Sequence, residues 1–262
     1  MHSEPLDIVP LWLLFLATCF FSLLAIEGGY RFGFWRHARA AEEKEAPVSA
    51  MVASILGLLA FLLAFTFSLA ASRFDARRQV VLEEANAIGT TYLRTRLLPE
   101  PQRTDIPKLL REYVDVRVRG VAEGNLAQAG ARSEELHELI WAKAIDASKS
   151  KESNPVMTGL FVQSLNDMID VHAKRVLIGT RSRIPVTIWA GLFGMAFLGM
   201  VSVGYQSGLS ATRRSPAMLA MVLAFAGVLL LIADLDRGQE GFLRVSQHAL
   251  IDLQTSMQTG KQ

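Results

Sequence analysis

Four long apolar runs punctuate the chain. They cover 8–26 (IVPLWLLFLATCFFSLLAI), 48–71, 184–205 and 216–233, and none contains Lys, Arg, Asp or Glu. Each has about the 17 to 25 residues that a helix needs to cross hydrocarbon. A single charge at the centre of such a helix would cost roughly 2.5 to 3.5 kcal/mol on an insertion scale, so uncharged runs of this length predict four transmembrane helices. The first run follows an acidic segment, MHSEPLD, and no small-x-small cleavage site comes after it, which predicts a retained helix and not a signal peptide.

Between the second and third runs lies a polar block, 73–183, and a shorter polar segment, 234–262, follows the fourth. From Phe74 to Leu98 there is no proline, and Arg, Glu, Ala and Leu dominate, so the second span is expected to continue unbroken into the block. Pro99 and Pro101 stop it. Thr104 is the expected cap of a helix that has Pro107 in its first turn and reaches about Ala122. Ser133, followed by Glu134 and Glu135, is the expected start of the next helix, and Asn154-Pro155 of another that runs to about Arg183, with a kink at Pro185. Apart from Gly241 to Val245, no alternation suggests a strand. The fold class is therefore all-α: an integral membrane protein with a helical extramembrane domain inserted between its second and third spans.

An even number of spans puts both termini and the block on one side. Arg31, Arg36 and Arg39 after the first span favour an outside N-terminus. The sum over all boundaries points the other way. Arg73, Arg77, Arg78, Lys174, Arg175, Arg181, Arg183, Arg237 and Arg244 flank the membrane on the block's side, against Arg31, Arg36, Arg39, Lys44, Arg213 and Arg214 on the other. That excess favours a cytoplasmic domain and cytoplasmic termini, and a bacterial inner membrane suits a chain with no targeting signal.

Composition agrees: of 262 residues, 51% are apolar and 20% charged, with a net charge of +2 and the cations scattered, which gives no footprint for nucleic acid. Cys19 is the one cysteine and reads as a small core thiol. The five histidines stand in different segments. His137-Glu138 opens like a zincin motif, but Trp141 stands where the second histidine would be. Neither a metal site, a cofactor nor an enzyme is expected. Glu27, Asp234 and Asp236 at span ends read as solvated groups, and Ala190 with Gly194 as a small-xxx-small pair for close helix approach.

The second span is the informative one. At 100° per residue, Leu58, Phe61, Phe65, Ser68 and Ser72 all lie within about 40° of the direction of Ser54, and Leu56, Leu59, Leu63, Phe67 and Ala70 make the opposite face. Two readings fit this stripe. If several copies meet about an axis, the serines face water and the phenyl rings form a constriction that gates by dewetting. Alternatively, the rings are packing residues at i and i+4 and the serines bond back to their own helix. Arg73, Arg77 and Arg78 then stand either at a pore mouth, where they attract anions, or at the interface as snorkelling side chains.

The order of parts resembles the bestrophin family of pentameric ion channels. AFLLAFTFSLAASRFDARR (60–78) is similar to the bestrophin second helix, whose aromatic residues four apart form the neck. Leu110-Arg111-Glu112-Tyr113 is similar to the family's Leu-Arg-x-Tyr pattern, and Leu165 to Ile169 to its helix returning to the third span. SRFDARRQVVLEEANAIGTTYLR and DLDRGQEGFLRVS resemble a bacterial bestrophin-like family, with Gly238 where that pattern has proline. The resemblance implies a homo-oligomeric, pentameric channel for small inorganic ions. Phe61 and Phe65 would be its gate, Ser54, Leu58, Ser68 and Ser72 its lining, and Arg73, Arg77 and Arg78 its mouth charge. Gly57 one turn before Phe61 implies a shorter constriction, and the dispersed Asp234, Asp236, Glu240 and Asp252 leave no evident calcium cage. The alternative expectation is a non-conducting scaffold or sensor whose helical domain binds a protein partner. A coupled transporter is disfavoured by spans without charge.

Overall fold

The computed structural model describes residues 9–39, 45–181, 183–210, 215–237 and 241–259. Ile8, His2, Lys44, Arg213, Arg214, Gly238 and Glu240, invoked above, lie outside them. The elements are α1 (Leu11–Arg39), α2 (Glu45–Arg94), α3 (Gln102–Ala122), α4 (Leu126–Lys149), α5 (Pro155–Arg181), α6 (Val186–Leu209), α7 (Pro216–Arg237) and α8 (His248–Thr259), with a short 3-10 turn at Thr95–Leu97. Helices α1, α2, α6 and α7 are each long and apolar enough to cross a membrane. No strand occurs among the described residues, so the all-α expectation holds and the strand considered at Gly241 to Val245 is absent.

Several helix boundaries differ from expectation. Thr104 lies inside α3, where its hydroxyl donates to Glu100 at 2.7 Å. Ser133 is buried in the middle of α4 and donates to the carbonyl of Ala129, so it bonds back along a helix that already began at Leu126. Asn154 does cap α5, its side-chain oxygen accepting from Val156 N at 3.0 Å. At Pro185 there is a break between two helices and not a kink within one, because α5 ends at Arg181 and α6 starts at Val186. Helix α8 had no counterpart in the sequence reading.

The chain divides into two compact units. The first comprises 1–74 and 182–244, the second 75–181 and 245–262. In the first, α1 and α6 touch backbone to backbone. A Cβ on Gly29 would lie 2.1 Å from the Val201 carbonyl oxygen, one on Gly33 2.2 Å from that of Tyr205, and one on Gly204 2.0 Å from that of Ile26. Gly29-xxx-Gly33 thus meets Gly204-xxx-Gly208, the small-residue seam that lets apolar helices associate where lipid offers no hydrophobic incentive. The pair expected to play this part, Ala190 and Gly194, does not, since Gly194 has no atom within 4 Å of its would-be Cβ. Leu59, Leu63 and Ala70 of α2, Trp189, Leu192 and Ala196 of α6, and Leu229 and Ile232 of α7 form the apolar core.

Asp234 and Asp236 are not solvated helix ends. Both are buried. Asp234 accepts from Phe242 N at 2.7 Å and Leu243 N at 3.1 Å, and Asp236 from Ile184 N at 2.9 Å. The two carboxylates thereby satisfy backbone N–H groups that leave α7 and enter α6.

In the second unit α3 and α4 form an antiparallel pair joined through Gly124, whose φ of +70° closes the turn. Gly120 lets the pair approach, since a Cβ there would lie 2.3 Å from that of Ala129. Ile106, Leu110, Val114, Leu136, Ile140, Phe161, Leu165 and Leu250 are buried around them.

Candidate functional site

Helix α2 carries the stripe, and the accessibility of its faces is sharply divided. Phe61 is 66% exposed, Phe65 64% and Leu58 51%, and Ser54, Ser68 and Ser72 are exposed as well. On the reverse, Leu59 and Ala70 are fully buried and Leu63 is 4% exposed, while Leu56 is half-buried and Phe67 is 40% exposed. The face with the hydroxyls and rings thus points away from the other helices of its own unit. Ser54 donates to the carbonyl of Ala50 at 2.9 Å, the back-bonded arrangement of a helical serine. Thr66, off the stripe and buried, does the same to Leu62.

The three arginines after the span do not share one environment. Arg73 is partly buried, and its Nη1 is enclosed without a hydrogen-bond partner. Arg77 is buried and Arg78 is exposed.

The second unit holds a polar cluster that the sequence reading missed. Glu84 on α2, fully buried, accepts from the Tyr113 hydroxyl at 3.0 Å and from Arg117 Nε at 3.0 Å, both on α3, while its other oxygen pairs with Arg175 of α5. Arg175 also donates to the side-chain oxygen of Gln247 at 2.8 Å. Burial alone would push the Glu84 carboxyl up. The contact with His172 and the guanidiniums of Arg175 and Arg117 outweigh it and hold the carboxyl well below the usual carboxylate range. Tyr113 is pushed up by burial and by Glu84, so it stays a hydroxyl. Since that hydroxyl donates to Glu84, its oxygen accepts from Nδ1–H of His172, 3.0 Å away. Sequence contained a trace of this cluster, because Tyr113 ends the Leu-Arg-x-Tyr pattern and Glu84 lies in the family-like stretch after the span. Nothing in spacing alone joins residues so distant along the chain.

Chemically, the cluster is a buried ion-pair network. Among the described residues, no three His, Cys, Asp or Glu side chains stand together as metal ligands.

A family model, the bestrophin-like domain, matches residues 11–250. The chain belongs to the bestrophin-like family. No curated protein matches it in sequence. Its fold is that of solved bestrophin homologues. A crystal structure of a bacterial bestrophin homologue from Klebsiella pneumoniae matches with a TM-score of 0.69 at 13% identity, covering 94% of this chain and 96% of that one. A single-substitution variant of a homologue from the same organism matches with a TM-score of 0.66 at 14% identity, covering 96% and 99%. The family resemblance read from the α2 stretch and the order of parts is thus correct, and this bestrophin-like chain is a multi-pass membrane protein.

Proposed function

We propose that this bestrophin-like chain assembles with copies of itself, as a pentamer, into a channel for small inorganic ions and is not an enzyme. In this reading α2 lines the pore, Phe61 and Phe65 form its neck, Ser54, Leu58, Ser68 and Ser72 its walls, and the residues after Ser72, Arg73 first, its charged mouth. The helical domain, 73–183, forms a cytoplasmic vestibule, and the spans sit in a bacterial inner membrane. The observation that carries the reading is the division of α2: Leu59, Leu63 and Ala70 of its apolar reverse are buried within the unit, while the face with hydroxyls and phenyl rings is left open. Ser54 bonds back to Ala50, which either face would allow, but three hydroxyls and two rings on one open face suit a wetted wall whose rings form a neck that empties of water when narrow.

Ion flux from liposomes tests it. Wild-type vesicles should be tight or slow, and Phe61→Ala/Phe65→Ala vesicles should leak, because removing two rings per subunit lets the neck wet. The rival reading, a non-conducting scaffold whose domain binds a partner protein, requires both proteins to be equally tight while still oligomeric. A stable monomer by mass measurement in detergent would overturn the channel.

A further inference from the structure

Two buried histidines in the helical unit take no part in the reading above. His137 on α4 and His172 on α5 meet edge to face, with ring centroids 4.9 Å apart and planes at 87°. The His137 ring also lies 5.0 Å from that of Tyr113 on α3. His137 is 7% exposed and His172 4%, and Nε2 of both rings is enclosed with no hydrogen-bond partner in the protein. With Nδ1–H of His172 turned to Tyr113, Nε2 is that ring's open position. Two enclosed, unpaired ring nitrogens at the meeting point of three helices are a departure from the rule that buried polar atoms find partners.

The charges around them decide what they can accept. Glu84 faces the pair from α2, Tyr113 and Arg117 from α3, and Arg175 from α5 itself. The charged groups of α4 that form ion pairs do so at the surface, Arg132 with Glu112 and Lys143 with Asp105. One carboxylate against two guanidiniums leaves a single positive charge before the His137 imidazole is protonated. A metal cation is therefore repelled, and among the described residues it would find no third ligand. A proton faces the same repulsion while the helices stay packed, and loses it when the rings reach water.

We propose that His137, wedged against the His172 and Tyr113 rings, is a proton-operated latch: with its ring neutral α4 stays packed on α3 and α5, and proton uptake by it releases α4. Burial above all, and then the His172 ring, hold the His137 imidazole down at about 4, with Glu84 opposing and Arg117 adding to the depression. The ordinary value of 6.5 is restored when α4 swings away. The released form therefore binds more protons between these values. Packing is at full strength above about pH 6.5 and weakens as pH falls towards 4, by up to about tenfold in the released population per pH unit.

Hydrogen exchange of the full-length protein in detergent, corrected for the intrinsic pH dependence of amides, reads this directly over 126–149. Between pH 6.5 and 5.0 the corrected opening of α4 should rise about fifteenfold in wild type, a window that ends above the ordinary carboxylate values of about 4. His137→Phe keeps a ring against Tyr113 and should flatten the slope. His137→Gln, which keeps a polar side chain that does not titrate, should flatten it as well and carries the test if the first variant does not fold. A wild type that shows no rise, or variants that retain the full rise, would overturn the latch. So would slowing of α4 exchange by micromolar Zn²⁺ in wild type and not in the variants, which would make the pair a metal site.

Discussion

The α1–α6 seam and the Glu84 cluster solve the same problem, holding helices in one arrangement, by opposite means. In the seam, side chains are absent: Gly29, Gly33, Gly204 and Gly208 bring backbones into contact, and dispersion supplies the attraction. In the cluster, side chains are abundant and polar or charged, and four groups from α3 and α5 gather about one carboxylate of α2 and bond to it or to one another. Lipid is as apolar as a leucine surface, so the spans gain nothing from hydrophobicity between themselves and rely on fit. In the other unit the apolar core gives compactness, and the ion pairs fix which helix lies where. The seam is thus intolerant of added volume, the cluster of removed charge.

Removing that charge should have the largest effect. Glu84→Ala leaves Arg117 and Arg175 buried together without a counter-charge, and breaking such a pair costs about 3 to 5 kcal/mol. Thermal unfolding followed by exchange in the α3, α5 and α8 peptides should show the loss confined to the helical unit. Glu84→Gln keeps the volume but not the charge and should fall nearly as far. If it retains wild-type stability, the carboxylate is held for its shape alone and the contrast with the seam fails.

Adding volume comes next. In Gly204→Ala the new methyl would sit 2.0 Å from the Ile26 carbonyl oxygen, so a backbone must move. Overpacking of this kind costs about 1 to 3 kcal/mol. The measurement is the urea or detergent dependence of α1–α6 association, and an unchanged value would mean that the helices slide apart freely. Tyr113→Phe is milder, removing one donor from Glu84 and the acceptor of His172, at about 1 to 2 kcal/mol by melting of the helical unit.

The spans and the all-α class were legible because uncharged runs of this length have one physical solution, and the exposed face of α2 was legible because 100° per residue is arithmetic. What escaped depended on tertiary partners. Ser133 has the chemistry of a cap and sits in mid-helix, since a serine bonds back to its own helix equally well. Asp234 and Asp236 look like solvated ends, and only the positions of Phe242, Leu243 and Ile184 show what they accept. His137 was noticed for a motif it does not complete, while its actual neighbours, Tyr113 and His172, are far off in sequence. The seam escaped for a further reason, that glycines four apart recur in many spans and sequence does not say which pair meets a neighbour.

That last ambiguity gives the smallest and most discriminating prediction. Gly194 sits in α6, one of the two helices of the seam, with nothing within 4 Å of a would-be Cβ. Within one chain, Gly194→Ala therefore adds no clash and removes a flexible residue from a helix interior, so stability should be unchanged or rise by up to about 1 kcal/mol. Measured beside Gly204→Ala on the same helix, it separates the effect of replacing glycine from the effect of close approach. If it weakens the assembled protein as much as Gly204→Ala while leaving the isolated subunit intact, the open side of Gly194 is a contact between subunits. The rule drawn from the seam then extends to the oligomer, where a backbone of the next copy occupies the space that the single chain leaves free.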